Sequence, residues 1–315
     1  MLRRVLSTLV ITLTTGFGLA TIPAKAQPQS AAKIQPGEGR PYEIADSEVW
    51  DVPDPVSHRG YQVFVALPPS YGKEPQRRYP VLYVTDADYA FPILRQISRR
   101  LNIEGPKVEE FILVGLSYSV GDTPEYSRRR DYTPTPNGEK TRDPSGRPPV
   151  FGEAEGYRRF LSEELMPFVA VTYRTDTTRS IYAGHSYGGL FGLYVLLSEP
   201  KLFSHYIIGS PSLWFDQKVL FQRERSYAEA NKELKANVLM AIASYETIDK
   251  ASGDPRYNGK TDMIADLKEF EQALRSRNYP GLKLSSEIIP GEDHLTVFPA
   301  IVTRGLLWAL PAKRD

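Results

Sequence analysis

Hydrophobic residues in this chain follow two rhythms. Short, nearly unbroken apolar runs alternate with longer stretches in which apolar residues recur every three or four positions. The runs Tyr61–Leu67, Val81–Thr85, Phe111–Leu116, His205–Gly209, Val238–Ala243 and Leu284–Ile289 read as strands, and Pro68-Pro69 closes the first of them. Pro92–Leu101 carries Ile93, Leu94, Ile97 and Leu101 on one helical face. Gly156–Ala170 does the same with Phe160, Leu161, Leu165 and Phe168, and Asp262–Arg277 is a third amphipathic helix. Strand and helix patterns in alternation predict an α/β fold with a mainly parallel central sheet flanked by helices. No internal repeat or second domain is visible, so residues 41–315 read as one catalytic-size domain.

Two stretches keep neither rhythm. Ser117–Glu155 is dense in Pro, Gly, Arg and Asp. It leaves the end of a central strand, the edge where open α/β sheets bind ligands, and a loop this long in a compact domain is usually functional. A cap or rim over the site is expected from 117–155. At the start, Arg3 and Arg4 precede the mostly apolar Val5–Ala20, and Ala24-Lys25-Ala26 has the small-x-small form of a cleavage site. Residues 1–26 therefore read as a secretory signal peptide, and the polar 27–40, rich in Pro, Ala and Gln, as a flexible lead-in. The expected location is outside the cytoplasm, in the periplasm. The apolar run is short and broken by Thr, Ser and Gly, so no stable membrane insertion is expected after cleavage.

Charge narrows the function classes. The chain has 39 basic and 38 acidic residues, and losing Arg3, Arg4 and Lys25 with the leader leaves 36 against 38. Such a balance favours neither nucleic acid nor an anionic membrane as partner. The absence of cysteine excludes disulfides, a thiol nucleophile and thiolate metal sites. Stability must come from one large core, for which about 290 residues suffice.

The candidate chemistry centres on Ile181-Tyr-Ala-Gly-His-Ser-Tyr-Gly-Gly-Leu190. An apolar strand, then G-x-S-x-G, then an apolar helix is the nucleophile-elbow pattern. The tight turn lifts Ser186 clear of the backbone, Gly184 and Gly188 make room for the main chain, and Gly189 lets the helix sit close to the sheet. Of the four histidines, His294 follows the last predicted strand, in Pro290-Gly-Glu-Asp-His-Leu295, where the order serine–acid–histidine puts the general base. His185 is expected to point away from the nucleophile, and His58 and His205 to be ordinary surface or core residues. The acid is expected after Val238–Ala243, with Glu246 first and Asp249 and Asp254 further along; Asp262 and Asp293 are outsiders. A Ser-His dyad without an acid stays open. The oxyanion donors are the backbone N–H of Tyr187 and one from the turn Asp86–Tyr89, with Ala87 or Asp88 preferred. No metal-ligand spacing, phosphate loop or dinucleotide glycine pattern is present, so neither a metal nor a cofactor is expected.

These residues carry a resemblance. Val63-Phe-Val-Ala-Leu-Pro-Pro-Ser-Tyr71, Tyr79–Asp86, Gly184–Phe191, Gly209-Ser-Pro-Ser-Leu-Trp214 and Gly291-Glu-Asp-His294 are similar to segments of the putative-esterase (esterase D-like) family of α/β-hydrolases over about Val49–Leu310. That family holds feruloyl and acetylxylan esterases, S-formylglutathione hydrolase, mycolyltransferases and siderophore esterases. Gly-His-Ser-Tyr-Gly-Gly-Leu-Phe with Ser-Pro-Ser-Leu-Trp resembles its branch of periplasmic enterobactin and salmochelin trilactone hydrolases. The resemblance implies Ser186 as nucleophile, His294 as base, and a small-molecule ester substrate, a ferric siderophore in that branch. It further implies that Arg129 and Arg130, in Arg128-Arg-Arg-Asp-Tyr-Thr-Pro134, contact an anionic substrate. Trp214 is a candidate pocket wall and equally a core residue. A carbohydrate feruloyl or acetyl esterase, an acyltransferase and a non-catalytic binding protein of this fold remain as alternatives.

Overall fold

The apolar runs become the interior of one eight-stranded sheet. A computed structural model describes residues 42–312, so the leader and lead-in over 1–40 lie outside the described residues. The strands are β1 Ser47–Asp54, β2 Arg59–Ala66, β3 Tyr79–Thr85, β4 Ile112–Ser119, β5 Thr175–His185, β6 His205–Gly209, β7 Ala236–Ala243 and β8 Leu282–Ile289. Their spatial order is β1-β2-β4-β3-β5-β6-β7-β8. The two pairings that involve β2 are antiparallel and the rest are parallel. Every residue of β3 and β4 is buried, as expected of parallel strands covered on both faces. β1 was not legible as a strand: it is an edge, with Pro53 in it and charged, exposed positions.

The helices are α1 Ala87–Leu101, α2 Pro124–Asp131, α3 Ala154–Phe160, α4 Met166–Thr172, α5 Tyr187–Ser198, α6 Phe215–Ala230, α7 Met263–Ser276 and α8 Phe298–Ala309. α1 and α8 cover one face, packing Phe91, Leu94, Ile301 and Leu306 against Leu82, Ile181 and Ile207. α3 to α7 cover the other, where Phe160, Phe191, Leu220 and Phe270 join Tyr182, Tyr206 and Met240. The stretch predicted as a helix over 156–170 is helical, but Leu161–Leu165 forms a π turn between α3 and α4. Pro167 follows that turn; lacking an N–H, it cannot bond Glu163, and the wider turn absorbs the lost bond.

One segment departs from the sequence reading, and another was not assigned by it. The stretch 117–155 is not structureless. Ser117–Ser119 still belong to β4, and α2 is capped by Thr123, whose side chain accepts from Tyr126 N–H at 3.2 Å, with Pro124 in the first turn. The helix, Pro-Glu-Tyr-Ser-Arg-Arg-Arg-Asp, has no apolar stripe, so periodicity missed it; the cap and Pro124 were its signals. The start of α6 is stranger. Asp216, Gln217 and Lys218 have φ of 42°, 53° and 64°, a left-handed turn made of non-glycine residues. Asp216 is tied to Asn137 at 3.0 Å and to Thr135, and Lys218 to Asp266 at 2.9 Å.

Candidate active site

Parallel strands deliver their C-terminal ends to one edge of the sheet, and the candidate residues arrive there from five of them. β3 is followed by Asp86, β5 by Ser186, β6 by Ser210-Pro-Ser212, β7 by the turn that holds Glu246, and β8 leads to His294. The chain of β5 reverses so sharply that Ser186 sits at φ 59°, ψ −117°, outside the regions open to ordinary residues. Its N–H donates to Gly209 O at 3.0 Å and its carbonyl accepts from Ser212 N–H at 3.2 Å, so the β6 loop holds the turn from both sides. Gly188 is required by close approach: a Cβ there would lie 2.3 Å from Thr85 Oγ1. The ends of β3 and β5 thus touch backbone to side chain, and the first turns of α1 and α5 lie beside each other.

His294 Nδ1–H donates to Glu246 Oε2 at 2.7 Å. Glu246 is 2% exposed, and its other oxygen, Oε1, accepts from Ala243 N–H at 3.1 Å and from Ser210 Oγ. Among the five acids weighed from sequence, this is the one on the histidine. Asp249 and Asp254 take nearby backbone N–H groups, Asp262 caps α7 and Asp293 caps the turn at Leu295 and Thr296. Ser186 Oγ rests 3.4 Å from Ser212 Oγ and makes no hydrogen bond to His294 in this conformation. Such contacts commonly close only when substrate is bound. Ser186 and His294 nevertheless line one pocket of about 380 Å³ with Tyr89, Arg128, His185, Leu295 and Phe298.

The backbone groups expected as oxyanion donors stand at helix starts. Tyr187 opens α5 and Ala87 and Asp88 open α1, and the first N–H groups of a helix have no partner within it. Neither Ala87 nor Asp88 donates to another acceptor among the described residues. Two helix N-termini meeting beside the serine also bring the positive ends of two dipoles.

Several readings need correction. His185 does not point away: its ring lies 4.6 Å from that of His294 and lines the pocket. Burial, then the neighbouring His294 and Arg128, depress its pKa well below the ordinary histidine value, so it is a neutral wall. Arg129 and Arg130 do not face the pocket. Arg130 is 4% exposed and bonded to Asp131 and Asp122 at 2.8 and 2.6 Å, while Arg129 pairs with Glu125 at 2.5 Å. The neighbour, Arg128, is the one at the serine, because a helix turns about 100° per residue and presents only one of three consecutive side chains there. Its guanidinium grips Asp86 through Nε at 3.0 Å and Nη2 at 3.2 Å. Burial opposes the charge of Arg128, but Asp86 outweighs it and raises the pKa. All three arginines are therefore matched by carboxylates. Of the two roles expected for Trp214, the core one holds: it is not in the pocket lining but packs against the core and on the Tyr187 ring, with centroids 6.1 Å apart. Sequence reading gave no pocket role to Tyr89, Leu295 and Phe298, although each lies within four residues of Asp86 or His294.

Against known proteins, the family model described as "Putative esterase" matches residues 56–287. The chain belongs to this family. Among its relatives, ferri-bacillibactin esterase BesA of Bacillus subtilis (strain 168) is 29% identical over 289 residues, covering 90% of this chain and 96% of that protein. Apo-salmochelin esterase of Escherichia coli O6:H1 is 32% identical over 252 residues, covering 79% and 74%. The crystal structure of BES protein from Bacillus cereus superposes with a TM-score of 0.71 at 25% identity, over 88% of this chain and 100% of that one. The eight-stranded, mostly parallel sheet of the chain shares its architecture with that Bacillus cereus structure.

Proposed function

We propose that this protein is a serine esterase of the α/β-hydrolase fold that cleaves ester or lactone bonds of a siderophore. Membership of an esterase family makes it a carboxylic-ester hydrolase. The observation that carries the mechanism is the convergence of Ser186, His294 and Glu246 at one sheet edge, with His294 Nδ1 on Glu246 at 2.7 Å. In the proposed reaction His294 Nε2 takes the Ser186 proton as Oγ attacks the carbonyl carbon. The tetrahedral oxyanion is held by the N–H group of Tyr187 and that of Ala87 or Asp88. The tetrahedral species collapses, the leaving alcohol takes the proton from His294, and an acyl-Ser186 ester remains. Water, deprotonated by the same histidine, then releases the acid and restores the serine.

The siderophore reading is supported by relatives named for ferri-bacillibactin and apo-salmochelin. The mostly apolar walls, Tyr89, Leu295 and Phe298, suit an aromatic acyl or amide group beside the scissile carbonyl. Export, read from residues 1–26, would put the reaction outside the cytoplasm, and N-terminal sequencing of the protein from its native host tests that. The deciding experiment compares a ferric catecholate trilactone with methyl ferulate and p-nitrophenyl acetate, using wild type and Ser186→Ala. Preferred cleavage of the trilactone, lost in the variant, is the expected result. Cleavage of the small esters alone would keep the Ser186 chemistry and overturn the substrate.

A further inference from the structure

The mechanism leaves Arg128 without a task. Its charge is already met by a buried carboxylate, so it offers little net field to a substrate. What it touches is more telling. Asp86 is fully buried and stands immediately before α1 at φ 56°, ψ 46°, a left-handed conformation that aspartate tolerates better than most residues. Three donors hold it: Arg128 Nε, Arg128 Nη2, and Tyr118 Oη at 2.9 Å. The torsion at Asp86 sets where the following N–H groups, Ala87 and Asp88, point. The same guanidinium lies 5.4 Å from the centroid of the Tyr187 ring, the residue that carries the other donor. A Cβ on Gly188 would fall 3.5 Å from Asp86 Oδ2, so no side chain intervenes between the two donor turns. Arg128 therefore reaches both halves of the oxyanion site from a third element, α2.

We propose that Arg128 is a positioning residue, pinning Asp86 and covering Tyr187 so that the two backbone donors are fixed in register before an oxyanion forms. The proposal rests on the serine-esterase reading above. A planar, two-pronged guanidinium suits the task and an ammonium does not, because only the former grips both carboxylate oxygens in one plane.

The test uses Arg128→Lys and the pair Arg128→Leu with Asp86→Asn. The pair removes the pin without stranding a buried carboxylate, and Asn tolerates the left-handed turn. Substrates are p-nitrophenyl acetate and the anionic mono-p-nitrophenyl succinate, with inhibition by a trifluoromethyl ketone, whose adduct carries an oxyanion. In protein that melts like wild type, kcat is expected to fall about 100-fold for both esters, the size of losing one oxyanion donor. KM should move by less than about 3-fold, and the ketone should weaken by a factor like that in kcat. An unchanged kcat in the folded pair variant overturns the proposal. So does a rise in KM confined to the succinate, which would make Arg128 a receptor for substrate charge. If wild type itself cleaves no ester and Ser186 takes no fluorophosphonate label, the esterase reading has failed instead.

Discussion

Glu246→Gln separates a working triad from a serine–histidine dyad, and the structure says why a single atom should matter. Glu246 Oε1 accepts from two donors, Ala243 N–H and the Ser210 hydroxyl. In the variant the amide oxygen must stay at that position, because an NH₂ group facing two donors would leave buried groups unpaired at about 1–3 kcal/mol each. The NH₂ is then forced toward His294 Nδ1, where it donates. Nδ1 becomes the acceptor, the ring proton moves to Nε2, and the nitrogen that should take the Ser186 proton already carries one. Loss of the correct tautomer at such a site costs on the order of 10⁴ in kcat, about 5 kcal/mol of barrier. The fold should survive, since size and hydrogen bonds are kept. Steady-state kinetics on p-nitrophenyl acetate, with active-site titration to count competent enzyme, measures the effect. A loss under about 10-fold in fully titratable protein would refute the tautomer argument and leave the enzyme a dyad.

Arg130→Ala strands Asp131, which is 2% exposed, and should cost about 3–5 kcal/mol in urea unfolding, with kcat of the folded protein little changed; a large drop in kcat at unchanged stability would return Arg130 to the substrate site. Gln217→Gly, which puts glycine where φ is 53°, should stabilise the protein by about 0.5 kcal/mol, raising the melting midpoint by roughly 1–2 °C, whereas in an ordinary helix it would destabilise. His185 titrates below the ordinary histidine value when folded, so from about pH 6.5 downward the unfolded chain binds the extra proton and stability falls with pH. The slope from this one group is at most about 1.4 kcal/mol per pH unit, and His185→Leu should flatten the wild-type urea midpoint between about pH 5 and 6.5 accordingly; parallel profiles would mean that His185 takes up its proton as readily folded as unfolded.

What the sequence by itself determined is whatever is written in contiguous residues. The elbow is such a case: strand, turn glycines, Ser186 and helix follow one another, so local sterics alone announce a strained turn whose hydroxyl stands clear of the backbone. The buried strands were legible because parallel strands covered on both faces must be apolar throughout, and His294 because chain order places a base after the last strand. Tertiary structure decided whatever depends on the path or phase of a segment. Five carboxylates lay near enough in sequence to serve His294; the turn after β7, with Ser210 reaching over from β6, brought Glu246 alone to Nδ1. Three arginines stood in a row, and the helical phase of α2, which has no apolar stripe to reveal it, turned Arg128 to the serine and buried Arg130 with Asp131. His185 came to rest against His294 only because β8 returns beside β7 and its loop reaches across to the elbow. The left-handed turn at Asp216 has no local cause in its residues. Its partners Thr135, Asn137 and Asp266 come from segments about 50 to 80 residues away, and contacts over that distance carry no periodicity from which to read them.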